Sequence, residues 1–105
     1  MTTNETRNFW GKELNITERE YNYINTTFGI IVRILKDMHT DPDRNDKLNE
    51  YRLRAQDVEA QLYGMLMLLE VQGKADFENV DYIMKQIKRT VNEIFRNAEM
   101  EGEAK

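Results

Sequence analysis

Apolar residues recur at alternating three- and four-residue steps through three long segments of the chain. This spacing is typical of one face of an α-helix and predicts helices near 17–39, 42–72 and 76–101. Short connections would make consecutive helices antiparallel, which gives an all-α, up-down-up three-helix bundle. The predicted seams are Tyr21, Ile24, Phe28, Ile31, Leu35 and Met38, then Leu48, Tyr51, Ala55, Val58, Leu62, Met65 and Leu69, then Val80, Met84, Ile87, Val91, Ile94 and Ala98.

Local signals mark where these helices begin and end. Thr17 and Glu20 have the spacing of a capping box at the start of the first helix. Asp41 is expected to cap the second helix, with Pro42 as its first residue. Gly73 suits the left-handed residue that follows a helix. On the first helix, Tyr23, Ile30 and Ile34 widen the apolar seam on one flank.

The helical domain is predicted to span residues 17–101. Residues 1–16 precede it as an N-terminal arm or short helix, and residues 102–105 form a tail. The arm is able to fold over one end of the bundle or to cover another apolar surface of the same chain. Its large apolar residues are Phe9, Trp10 and Leu14.

The middle helix carries a second apolar stripe, roughly opposite its seam at about 100° per residue. A helix in a small bundle normally exposes that side to water, so the stripe predicts contact with a protein partner or with a second copy of the chain. Tyr63 and Met67 are the expected anchors, because aromatic residues dominate interface energies and methionine adapts to irregular surfaces. The N-terminal arm is the other candidate cover. The predicted interface comprises Ala60, Tyr63, Gly64, Met67 and Val71.

A basic patch lies along the outward side of the third helix. Lys and Arg neutralise phosphate and Asn reads adenine, so the patch is a candidate site for nucleic acid or another anion. Glu78 and Glu93 interrupt or border it, and the net charge of −4 lacks the basic excess of a nucleic-acid binder. A solvated helix face is therefore the favoured interpretation. The patch comprises Lys85, Lys88, Arg89, Asn92 and Arg96.

Composition narrows the possible functions. The 105 residues, 40% apolar and 32% charged, fit one folded domain. Cysteine is absent, which excludes disulfides and thiolate metal sites, and His39 is the only histidine. There is no glycine-rich phosphate loop and no pair of carboxylates on an apolar face. We therefore expect a non-enzymatic protein, with no catalytic residues, metal or cofactor.

The N-terminus has no signal-peptide pattern, and no apolar run approaches the roughly 18 residues needed to span a bilayer. A cytoplasmic protein without membrane contact is expected. The pattern favours a small adaptor, inhibitor or regulator that self-associates or binds a protein, a type frequent among bacterial and phage regulators. Two alternatives stay open. One is a nucleic-acid or anion binder, and the other is a phage or bacterial structural or assembly subunit forming a higher oligomer.

Overall fold

The computed structural model describes residues 3–103 and is 77% helical. The predicted mostly helical fold with three helices is confirmed, and a small antiparallel sheet at the N-terminus is added to it. Within this range, none of the helices combines the length and the hydrophobicity that a membrane span requires. The elements are β1 (Glu5–Phe9), β2 (Lys12–Ile16), α1 (Glu18–Thr40), α2 (Arg44–Val71) and α3 (Phe77–Glu103).

The N-terminal segment is a β-hairpin in place of the predicted arm or short helix. Strands β1 and β2 are antiparallel, with Phe9 opposite Lys12. The turn residues Trp10 and Gly11 have φ of +53° and +80°. Positive φ at both positions is what a two-residue type I′ turn requires, and it matches the twist of the flanking strands. The Gly11 N–H donates to Asn8 Oδ1 at 3.1 Å.

The hairpin closes one end of the helices. Leu14 and Ile16 alternate with exposed residues along β2, and both side chains are buried in the common core together with Phe9. The Asn15 N–H donates to the Lys74 carbonyl at 2.8 Å, in the connection between α2 and α3. The hairpin therefore belongs to the core of the domain, because it contributes apolar side chains and a backbone hydrogen bond to it.

Two helix ends form as predicted. The Glu20 N–H donates to Thr17 Oγ1 at 3.1 Å, and the Thr17 N–H donates to Glu20 Oε1 at 2.9 Å, which completes the capping box. Gly73 has a φ of +76°. The Lys74 N–H then reaches back to the Leu69 carbonyl at 2.9 Å, so the end of α2 is closed by a left-handed glycine.

The predicted start of the second helix is wrong. α2 begins at Arg44, and Asp41 is the C-terminal cap residue of α1. The Asp41 carboxylate accepts hydrogen bonds from the Asp43 N–H at 2.8 Å and the Tyr51 hydroxyl at 2.6 Å. The Asp41 side chain thus closes the turn between α1 and α2 and does not cap α2. Pro42 lies in this turn.

The third helix extends further than predicted. Gly102 and Glu103, assigned to the tail, are the last residues of α3, and residues 104–105 of that tail lie outside the described range. A side-chain ion pair between Arg44 and Glu101 at 3.6 Å accompanies this last turn.

The helices pack in antiparallel order around α2. Thr27 of α1 contacts Met65 of α2, and Arg52 of α2 contacts Glu99 of α3. The predicted seams lie in the core or against it, and Leu66 of α2 is fully buried in addition. α1 and α3 each pack extensively on α2 but touch one another little. An open groove therefore runs between α1 and α3.

Candidate functional site

The predicted interface of α2 lies mostly outside the core. Val71 is 76% exposed and Tyr63 is 40% exposed, and Ala60 and Gly64 are exposed as well. Met67 is half-buried and packs against the core. The hairpin buries Phe9, Leu14 and Ile16 in the core and leaves Tyr63 and Val71 open. The second stripe is consequently not covered by the N-terminal segment.

The structure adds residues to this stripe that sequence reasoning did not select. Leu68 is 57% exposed and lies one helical turn from both Gly64 and Val71. The available signal was the absence of charge between Glu59 and Glu70, nearly three turns of helix without a Lys, Arg, Asp or Glu. Such a helix has no fully polar side to turn toward water.

Two residues of α1 complete the surface. Tyr23 is 65% exposed, and Ile30 is also exposed, although both were predicted to widen the buried seam. Both border a groove of about 840 Å³ between α1 and α2, together with Gly64 and Leu68. The groove is open at Gly64 as well, since a Cβ built there would have no atom within 4 Å. We call Tyr23, Ile30, Gly64, Leu68 and Val71 the outer apolar surface.

The rim of this groove is polar. Arg19, Asn22 and Thr26 line it from α1, and Gln61 lines it from α2. An apolar centre with a polar rim is the usual anatomy of a protein–protein interface. The arrangement offers apolar area at its centre and hydrogen-bonding side chains at its edge.

A second groove, between α2 and α3, brings together residues from both predicted sites. Ala60 and Tyr63 of the predicted interface line it, with Lys88 and Asn92 of the basic patch. Its volume is about 430 Å³. The stripe on α2 is therefore divided, because Gly64 borders the α1 side of the helix and Tyr63 borders the α3 side.

Glu59 also lines this second groove and is only 6% exposed. Its Oε1 atom has no hydrogen-bond partner among the described residues. Burial raises the pKa of the Glu59 carboxyl, and the positive charge of Lys88 opposes that rise only in part. The groove thus holds a carboxylate that is costly to ionise.

The basic patch is exposed and lies on one side of α3. Lys85 pairs with Asp81 at 2.8 Å, one turn earlier on the same helix. Lys88, Arg89, Asn92 and Arg96 are exposed. The structure therefore keeps four of the five predicted residues together on a solvated face without an ion pair in the described part of the chain.

The described residues contain no cluster of three His, Asp or Glu side chains that could hold a metal ion. In the acidic turn after α1, the Asp41 carboxylate already accepts hydrogen bonds from residues of the same chain. The hydrogen bond from the Tyr51 hydroxyl, together with the Asp43 N–H, lowers the pKa of Asp41, and Lys47 lies 3.7 Å from the same carboxylate.

Comparison with known proteins gives no relative on which to base a function. No protein-family model matches the chain, and neither a curated protein nor a solved structure matches it.

Proposed function

We propose that this chain is a small cytoplasmic, non-enzymatic protein-binding module that acts as an adaptor, inhibitor or regulator through the outer apolar surface. The observation that carries the proposal is the exposure of Tyr23, Leu68 and Val71 around Gly64. Scattered exposed apolar residues are ordinary, whereas a contiguous group with a polar rim is typical of an interaction site.

The energetics favour a protein partner. Fully burying a Leu or Val side chain contributes about 1.5–3 kcal/mol. More than half of the Leu68 and Val71 side chains is still exposed and available for burial against a partner. Gly64 leaves room for close approach of a backbone at the centre of the groove. An amphipathic helix fits this shape, since its apolar face would fill the space between α1 and α2. The helix is provided either by a second copy or by another protein.

Light scattering coupled to size exclusion tests self-association, and pull-down from a host lysate tests partner binding. We expect Leu68→Glu to abolish either one, because it places a charge in the apolar centre. Leu53→Glu is the matched control, since Leu53 is a similarly exposed leucine of α2 outside the outer apolar surface. Ring-sized masses would indicate a structural subunit. A monomer whose captured proteins are unchanged by Leu68→Glu would contradict the proposal.

A second candidate function rests on the four exposed residues of the basic patch. In this alternative, Lys88, Arg89 and Arg96 bind phosphates of a nucleic acid. Fluorescence anisotropy with labelled duplex DNA should then show an affinity that falls steeply with salt and is lost in Arg89→Glu. Arg33→Glu, an equal charge change on the exposed side of α1, should leave the affinity nearly unchanged.

A further inference from the structure

A third groove, of about 570 Å³, runs between α1 and α3 on the flank of α1 that faces away from the outer apolar surface. Its walls are apolar on both sides except for Thr90 of α3. Phe28, Val32 and Leu35 line it from α1, and Ile87, Val91 and Ile94 line it from α3. The groove exists because α1 and α3 rest on α2 with little contact between themselves.

Trp10 closes one end of this groove. Its ring meets the Phe28 ring edge-on, with centroids 5.3 Å apart. Trp10 has a φ of +53°, an unfavourable backbone conformation for a large side chain. The two-residue type I′ turn of the hairpin requires this positive φ. Here the turn places the indole at the end of the groove next to Phe28.

The other end of the groove is polar and cationic. Lys36, His39 and Thr40 line it, and its lining includes no Asp or Glu. Lys36 forms no ion pair with any side chain of residues 3–103. From Phe28 to His39 the groove follows eleven residues of helix, about 16 Å at the usual rise.

We propose that this groove binds a monoanionic amphiphile with one unbranched hydrocarbon chain, of the medium-chain fatty acid class. The chain lies between α1 and α3 with its methyl end at Trp10, and the carboxylate lies at Lys36 and His39. The volume is within the range of small-molecule pockets, about 300–1,000 Å³, which are mostly apolar with a few placed polar groups.

Charge disfavours a second copy docked groove to groove as the occupant. Two such grooves docked face to face would bring no carboxylate to Lys36, because the lining carries none. A hydrocarbon chain with an anionic head satisfies the walls and the cation together. This site is independent of the outer apolar surface.

Laurate, titrated below its micelle concentration, is the probe. Calorimetry should show saturable binding at one site, and the emission of Trp10, the only tryptophan, should shift with the same affinity. Lys36→Glu should weaken laurate binding by about tenfold or more, since it replaces a charge-assisted contact by repulsion. Dodecanol, which has the same chain without the charge, should bind Lys36→Glu and the original protein equally.

Matched variants separate this site from other surfaces. Arg33→Glu changes charge equally on an exposed position of α1 outside the groove lining and should leave laurate binding unchanged, as should Leu68→Glu. Val32 is a half-buried residue of the groove wall. Val32→Phe should occupy the space of the hydrocarbon chain and abolish laurate binding, while the circular dichroism spectrum stays that of the original protein. Absence of laurate binding, or binding insensitive to Val32→Phe and Lys36→Glu, would overturn the proposal. A dimer broken by Val32→Phe but not by Leu68→Glu would overturn it in favour of a second copy.

Discussion

The outward faces of α2 and α3 differ, although the two helices are antiparallel neighbours of 28 and 27 residues. Both bury a continuous apolar seam in the same core. Outside that seam, α3 presents Lys88, Arg89 and Arg96 to solvent, whereas α2 presents Leu68 and Val71. The two helices therefore differ in what their outward faces contact, although their buried faces do the same job. Between Lys88 and Arg96 the outward face of α3 is charged and meets water, although Phe77, Tyr82 and Met100 elsewhere on α3 are exposed, whereas α2 has neighbouring apolar residues that the core does not use.

The largest expected effect tests whether the two sides of α2 really serve different ends. Leu62→Ala removes a fully buried side chain and should lower the free energy of unfolding by about 2–5 kcal/mol. Leu68→Ala removes an exposed leucine of the same helix and should change it by about 0.5 kcal/mol or less. Urea denaturation at low protein concentration measures both. If Leu68→Ala lowered the free energy of unfolding nearly as much as Leu62→Ala, the outer apolar surface would contribute to the stability of the fold rather than to binding.

The buried half of this comparison was predictable from the sequence. Helical periodicity gives the direction of each side chain, and that suffices for Leu62 or Ile87 because the core lies on one side of each helix. It does not give the shape of the neighbouring element. Tyr23 and Ile30 were wrongly expected to widen the buried seam, because the groove between α1 and α2 that leaves them exposed depends on how the two helices pack.

The hairpin was missed for a different reason. Its strands have only five residues each, and alternation of Leu14 and Ile16 with polar neighbours is a weak signal over that length. The turn carries Trp10 at its first central position, where Asn or Gly is usual, which left Gly11 at the second position as a weak local signal. Packing of the indole on Phe28 accompanies this conformation, and such a long-range contact is not visible in the sequence.

The next largest effect concerns Glu20, whose bond to Lys74 connects the start of α1 to the segment after α2. Tyr23 and Leu68 lie on these two helices and line the same groove. Glu20 accepts hydrogen bonds from the Thr17 N–H and from Lys74 Nζ at 2.7 Å. Burial opposes ionisation of Glu20, but the bonds from Lys74 and Thr17 outweigh it and lower the pKa. Glu20→Gln should therefore cost about 1–2 kcal/mol of unfolding free energy at neutral pH.

The pH dependence of Glu20→Gln has a definite sign. A lowered pKa in the folded state contributes stability that is present above the ordinary value of 4.5 and is lost as pH falls through the folded value. The difference between Glu20→Gln and the original protein should consequently shrink in acid, as read from urea denaturation at several pH values. A difference that is constant with pH would mean that the charge of the Glu20 carboxylate does not contribute to stability.

Glu59 lies at the border between the two outward faces, and its substitution should have the opposite sign. Burial raises the pKa of this carboxyl, so its ionised form destabilises the fold as pH rises above the ordinary value of 4.5. Glu59→Gln should raise the unfolding free energy by about 1 kcal/mol at neutral pH, and the gain should vanish below 4.5, where the original residue is protonated. Glu50→Gln, an exposed change on the same helix, should have no such effect.

The smallest expected effect is on the face of α3. Arg89 and Arg96 are exposed and form no ion pair within the described residues, so Arg89→Ala and Arg96→Ala should each change the unfolding free energy by about 0.5 kcal/mol or less. Both variants should also keep the oligomeric mass and the captured proteins of the original chain, because a solvated face contributes nothing to binding through α2. Loss of a captured protein in Arg89→Ala, with Leu68→Glu unaffected, would reverse the comparison and make α3 the binding helix.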